Sequence, residues 1–338
     1  MERLFTAVSD ATQNHQKGAI VAAALGTGYS LLSLRLLPVC VMRAWFFTTV
    51  LSTVFPCCAF LYLTDPLRAL GVPKRFVEKL CITLLAPAFK AVALLNPQIK
   101  TKVTFDKNTQ GKQIKGWSDI GVHNLALACN HTSFWDVFAL IEVAPMSLLY
   151  HTRTLMKDSL RKIPIFGGCF DRVGHFPVYF KSDEDGKFQV DKEKQAVVQL
   201  AVDSHVAHGG NLAIFPEGAV NRTPERLQPF RFGTFATVFQ HKMELYYMVS
   251  VGNNVTWPAN APSGGFPADI RVRVGAYPVD FATQESKQVA AEMQEHMQKV
   301  YNEMVQEMED ERRAKHTKRH ASKRDTVPLP SMKQPNIA

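Results

Sequence analysis

The chain has 338 residues, of which 46% are apolar and 20% charged, and a formal net charge of +9. That length and apolar content allow one large α/β domain with appendages, or two small domains, each with a full core. Six cysteines, Cys40, Cys57, Cys58, Cys81, Cys129 and Cys169, lie mostly in apolar runs and form no metal-ligand spacing. They read as reduced, mostly buried thiols, which excludes a secreted disulfide scaffold. The basic balance suits an anionic partner: a nucleic acid, a lipid head group or a phosphorylated substrate.

Residues 1–18 form a polar N-terminus without a secretory signal pattern. Residues 19–64 hold two apolar segments: Ala19 to Leu34, 16 residues, and Ala44 to Thr64, 21 uncharged residues rich in Phe, Val and Leu. A helix needs about 20 such residues to cross a bilayer, so the second meets the length and the first is marginal. This region predicts membrane-anchoring helices, as one span or a hairpin, with a buried core helix as the alternative. Arg and Lys flank both segments, so no orientation follows. Residues 65–100 read as amphipathic linker helices, broken near Pro87, with Leu84, Leu85, Phe89 and Val92 among the apolar positions.

From 101 to 283 the pattern becomes short strands interleaved with helices. Lys102–Asp106 alternates; Leu125–Cys129, Leu212–Phe215 and Tyr246–Val251 are short continuous apolar runs; Ile270–Val274 alternates with Arg271 and Arg273. Helical character falls at Phe134–Val143 and Lys192–Val206, and residues 181–192 read as a charged surface loop. This interleaving predicts an α/β fold, a mixed sheet flanked by helices. Residues 284–311 predict a C-terminal helix, in which Val289, Met293, Met297, Val300, Met304 and Met308 recur at steps of three and four. Such a stripe suits core packing or a lipid-facing surface. Residues 312–338 read as a basic disordered tail, with seven Lys or Arg between 312 and 324, solvated or bound to anionic membrane.

Three stretches carry candidate chemistry. Asn130-His131-Thr132-Ser133-Phe134-Trp135-Asp136 follows one predicted strand and opens a helix. His131 then stands in the turn at a strand end, where open α/β sheets place their sites. If His131 precedes the helix and Asp136 lies in its first turn, the carboxylate can fix the ring tautomer. The other ring nitrogen can then deprotonate a substrate hydroxyl, and no Ser or Cys nucleophile is required. The same residues also fit a capping box, Ser133 with Asp136, around a packed turn histidine. In Phe215-Pro216-Glu217-Gly218, Pro216 stops a strand, Glu217 projects from its end, and Gly218 permits close backbone approach. Arg222 beyond it offers a planar fork for phosphate; an ordinary strand-to-loop transition is the alternative. Gly167-Gly168-Cys169-Phe170-Asp171-Arg172 pairs a glycine turn with a cation that can reach an anion or pair on the surface.

The order and spacing of these stretches resemble the glycerolipid acyltransferase family, which includes the 1-acylglycerol-3-phosphate acyltransferases. Asn130, His131 and Asp136 match the family's first motif, Cys169-Phe170-Asp171-Arg172 its second, and residues 215–218 its third. Ala219 and Val220 replace the usual Thr-Arg, and Val249-Ser250-Val251 lacks the proline usual in the fourth motif. The resemblance spans roughly residues 80–280. It implies that His131 is the general base with Asp136 its partner, and that Arg172, Glu217, Gly218 and Arg222 bind substrate. It implies transfer of an acyl group from acyl-CoA or acyl-carrier protein, as co-substrate, to a lysophosphatidic-acid-like hydroxyl in phospholipid biosynthesis, with no cofactor and no metal. Expected partners are membrane lipids, the thioester donor and a phosphorylated glycerol acceptor, with no nucleic acid. The expected location is a membrane: endoplasmic reticulum in a eukaryote, inner membrane in a bacterium. Glycerol-3-phosphate, dihydroxyacetone phosphate or another lysophospholipid as acceptor stays open, as does a non-catalytic lipid-binding membrane protein.

Overall fold

In the computed structural model, which describes residues 2–182 and 188–325, the N-terminal third is helical. It comprises α1 (Glu2–Ser33), α2 (Val39–Leu61), the short α3 (Asp65–Ala69) and α4 (Lys74–Leu95). The strands and helices that follow are β1 (Ile99–Phe105), β2 (Leu125–Cys129), α5 (Trp135–Val143), α6 (Met146–Leu149), β3 (Thr152–Lys157), α7 (Gly167–Arg172) and β4 (Phe176–Val178). Then come β5 (Phe180–Ser182), β6 (Phe188–Val190), α8 (Lys192–Ala207), β7 (Asn211–Ile214), α9 (Gly233–Gln240), β8 (Glu244–Val251), α10 (Asn253–Thr256), β9 (Ala268–Tyr277) and α11 (Ser286–Asp325).

Seven strands form one sheet in the order β1-β9-β8-β2-β7-β3-β4. β8, β2, β7, β3 and β4 run parallel, whereas β9 is antiparallel to β8 and carries β1 parallel to itself. The mixed sheet flanked by helices is therefore the architecture the sequence predicts. β2 lies at its centre with all five residues buried, as its unbroken apolar run requires. β9 alternates buried and half-buried positions, with Arg271 and Arg273 turned to the carboxylates of Glu311, Glu303 and Glu307 on α11. Two cores result. One packs α2, α4 and α5 on one face; the other packs α8, α9 and the Val289–Met308 stripe of α11 on the opposite face. The methionine stripe is thus core and not a lipid face.

Four boundaries differ from the sequence reading. α1 continues through residues expected as a polar N-terminus. α4 runs unbroken through Pro87, because Leu85, Ala86, Ala88 and Phe89 around it are all buried and hold the helix together. The expected 181–192 loop instead contains most of β5 and all of β6, an antiparallel pair, and Asp191 near its end caps α8; residues 183–187 lie outside the described residues. α11 extends through much of the stretch expected as a disordered tail, since Glu311 anchors it to Arg271 and good helix formers follow; residues 326–338 lie outside the described residues.

α2 is held along its whole length. Phe46, Val54, Cys58 and Leu61 are buried on the side that packs on α4. Near one end Arg43 donates to Ser263 and stacks 4.2 Å from the Phe266 ring centroid. Just past the other, the Tyr62 ring lies 3.6 Å under the Arg172 guanidinium. Val41, Trp45, Phe47, Leu51 and Phe60 remain exposed on its outer side. The stretch Val39–Ala69 is long and apolar enough to cross a membrane, yet it lies against the domain instead of projecting from it.

Candidate active site

β8, β2 and β7 are parallel neighbours, so their C-terminal ends emerge side by side. Asn130-His131 leaves β2, Phe215-Pro216-Glu217-Gly218 leaves β7, and Gly252-Asn253 leaves β8. Residues far apart in sequence therefore meet at one sheet edge, where α/β folds place their ligands.

His131 is fixed from three sides. Asn130 bridges to β8 by two hydrogen bonds, its Nδ2 donating to the Ser250 carbonyl at 2.9 Å and its Oδ1 accepting from the Ser250 N–H at 2.8 Å. The His131 N–H donates to Glu217 Oε1 at 2.7 Å, and the His131 carbonyl accepts from the Asn221 N–H at 2.6 Å. The ring packs against Phe215, with centroids 4.6 Å apart.

The His131 Nδ1 lies 2.9 Å from Asp136 Oδ2. Asp136 is 1% exposed, and the same oxygen accepts from the Thr132 and Ser133 N–H groups at 2.7 and 2.9 Å. Its Oδ1 accepts from Asn253 Nδ2 at 2.7 Å. Both Asp136 oxygens are thus occupied as acceptors of N–H groups, so His131 Nδ1 meets it as a donor. Nδ1 must therefore carry the ring proton, which leaves the Nε2 lone pair free; Nε2 has no protein partner among the described residues. The capping box and the dyad are the same object: Ser133 Oγ accepts from the Trp135 N–H at 3.0 Å while Asp136 accepts from Ser133. Ser133 Oγ also donates to the Trp257 carbonyl at 2.7 Å.

Glu217 does not project toward a ligand as the sequence reading expects. It is 5% exposed, and its second oxygen accepts from Asn221 Nδ2 and the Gln228 N–H at 2.8 and 2.9 Å. Burial pushes its carboxyl up, and the donors from His131, Gln228 and Asn221 pull it back. Its acceptors are filled by the loop that holds His131. Gly218 adopts φ 75°, and the Arg231 side chain lies directly over it, where a Cβ would collide. Arg222 and Arg231 are both exposed, and neither has a side-chain partner among the described residues.

Arg172 stands elsewhere. It is 9% exposed, pairs with Asp65, donates to the Gly168 carbonyl at 2.8 Å and stacks on Tyr62. α2 serves as a ruler here: Phe46 contacts Trp135 and Trp257 beside the histidine loop. Tyr62 comes 16 residues later, roughly 24 Å along a helix. Arg172 thus ties α7 to the N-terminal helices. Asn253 is a residue the sequence reading missed; only the strand order brings it to Asp136. Arg231 is close in sequence to Arg222, but its place over Gly218 depends on a bond from its N–H to the Pro216 carbonyl, 2.8 Å.

Comparison with known proteins agrees with this geometry. Residues 105–252 match the acyltransferase family profile. A Helicobacter pylori strain J99 protein named 1-acyl-sn-glycerol-3-phosphate acyltransferase is 26% identical over 190 residues, 55% of this chain and 71% of that one. The crystal structure of the Thermotoga maritima 1-acyl-sn-glycerophosphate (LPA) acyltransferase PlsC superposes with a TM-score of 0.50, covering 79% of this chain and 95% of that chain at 14% identity. That last likeness shows a shared fold, and the family match over residues 105–252 with the curated relative marks the chain as an O-acyltransferase that carries an acyltransferase-family domain.

Proposed function

We propose that the chain transfers a fatty acyl group from a thioester, acyl-CoA or acyl-carrier protein, to the free hydroxyl of a lysophosphatidic-acid-like acceptor. The observation that carries this reading is the open Nε2 of a histidine whose Nδ1 is fixed on a buried, four-donor carboxylate. Nε2 takes the hydroxyl proton as the oxygen attacks the thioester carbonyl carbon. The C–O bond forms, the C–S bond breaks, and the thiolate leaves with the proton from the imidazolium. Asp136 stabilises that imidazolium and keeps the ring in register.

The acceptor's phosphate suits Arg222 and Arg231, two unpaired guanidinium groups on the loop that clamps His131. Glu217 acts as a positioning residue, and Arg172 stabilises the junction of α7 with the N-terminal helices. The exposed outer face of α2 supports contact with a bilayer, in keeping with a lipid substrate and product, with α2 lying along the membrane surface and not across it. The test is thiol release from an acyl-CoA across a panel of acceptors. Lysophosphatidic acid is expected to give the highest kcat/KM, and a phosphate-free lysolipid or monoacylglycerol at equal rate would contradict the reading.

A further inference from the structure

The mechanism uses the C-terminal edge of the sheet. At the opposite edge, where β3, β4 and β7 begin, a second polar cavity of about 180 Å³ opens between α4, α8 and the strand starts. Thr152 pairs with Asn211, so His151 and Gly210, just before them, stand together on its floor. β2 has five residues between the two edges, and at about 3.3 Å each they keep this cavity well apart from His131.

The lining is strongly unbalanced in charge. Lys74, Arg75 and Lys79 come from the start of α4, Arg153 from β3, and His151 and His205 stand beside them. The one carboxylate, Glu78, is already paired with Arg153 at 2.9 Å and with Lys74 at 3.7 Å. Arg75 and Lys79 have no side-chain partner among the described residues. Arg153 is 3% exposed, and its Nε is buried with no acceptor. α4 starts after Pro73 with no side-chain cap and no acidic residue in its first turn, so the positive end of its dipole adds to these cations. Burial pushes His151 down to about 4, with His123, Lys79, Arg153 and His205 adding to the shift. A buried donor with no acceptor, inside a cation cluster that repels its own protons, lacks an anion.

We propose that this cavity is a second anion site, separate from the acyl-transfer centre, that takes a phosphate group. The terminal nitrogens of Arg153 are taken by Glu78 and the Tyr150 and Thr152 carbonyls, so the unpaired Nε–H and the free Arg75 and Lys79 heads are the donors, and several such donors suit a tetrahedral oxyanion better than a monatomic ion. The phosphate can come from a free phosphorylated compound or from a lipid headgroup. Exposed Phe76 lies one turn before Lys79, and exposed Val197 and Leu200 lie one turn before the lining residues Ala201 and Ser204, so apolar side chains border the mouth. This site does not depend on the acceptor assigned to His131.

The test is calorimetric titration of the detergent-solubilised full chain with inorganic phosphate. Arg222→Ala/Arg231→Ala is expected to keep this binding, and Arg75→Gln/Lys79→Gln to weaken it by about tenfold or more. The second variant replaces exposed residues outside the acyl-transfer centre, so its retained thioester turnover reports that it is folded. Binding unchanged in Arg75→Gln/Lys79→Gln, binding lost only in Arg222→Ala/Arg231→Ala, or no phosphate bound at all, each overturns the proposal. A second arm uses vesicles of phosphatidylcholine alone and of equimolar phosphatidylcholine and phosphatidic acid. If the source is a headgroup, the phosphatidic acid vesicles displace free phosphate, and Arg75→Gln/Lys79→Gln loses the extra vesicle binding. If it is a soluble compound, phosphate binds but both proteins sediment equally with the two vesicles.

Discussion

Asp136 gathers four hydrogen bonds from His131, Thr132, Ser133 and Asn253, and these set what each substitution should do. Asp136→Asn replaces an acceptor-only oxygen with a group that donates, which frees His131 to take the wrong tautomer. We expect a loss of about 10²–10⁴ in kcat with little change in either KM. Glu217→Gln should lower kcat by about tenfold or more while acceptor KM holds, because one of the N–H groups it accepts is left unpaired and the His131 loop loosens. If acceptor KM rises instead, Glu217 touches substrate. For the phosphate, Arg222→Ala or Arg231→Ala should raise acceptor KM by about ten- to a hundredfold and leave the thioester KM alone. Arg172→Ala should leave both KM values near those of the parent and lower thermal stability, since the bond to the Gly168 carbonyl and the stack on Tyr62 are lost. His131 and Asp136 were legible in the sequence because a turn and a helix start bring them together over five residues. Asn253, the role of Glu217 and the place of Arg231 were not, because each depends on which strands lie beside β2.

At the scale of single elements, α2 is where contact with a membrane is to be tested. Its 21 uncharged residues from Ala44 to Thr64 read as a membrane span. Val39–Ala69 is long and apolar enough to cross a membrane, while Arg43 near one end and the Tyr62–Arg172 stack at the other tie it to the domain, which supports the surface-lying placement proposed above. Phe47→Asp/Leu51→Asp changes the outer side only, so it should shift the protein from the membrane pellet toward the supernatant while detergent-phase activity persists. Retention in an alkaline carbonate pellet equal to the parent would favour a true span. The strands, by contrast, were legible as short apolar runs, and β9 as an alternation. The helix breaks expected at Pro87 and after residue 311 failed because buried neighbours and ion pairs to β9 outweigh local signals.

At the scale of the whole molecule, the sheet separates two sites: the His131–Asp136 pair at one edge and a cationic, histidine-lined cavity at the other. The latter side is acid-sensitive. Burial, with Arg153 and His205 nearby, pushes His175 down to about 3, and its Nδ1 accepts from the Thr154 N–H at 3.3 Å. The unfolded histidine, near 6.5, takes a proton first, so stability is complete above about pH 6.5 and falls as pH drops toward 3. Between pH 6.5 and 4.5 the Tm should fall by on the order of 5 °C, and less steeply in His175→Gln. None of this was legible beforehand, because isolated histidines scattered along the chain acquire their environment only from the sheet.

The central claim is that His131 Nε2 removes the acceptor proton, and single-turnover thiol release from an acyl-CoA with saturating lysophosphatidic acid measures it most directly. His131→Ala is expected to retain acceptor binding and a cooperative unfolding transition while the rate falls by about 10²–10⁴; a folded His131→Ala protein turning over near the parent rate would contradict it.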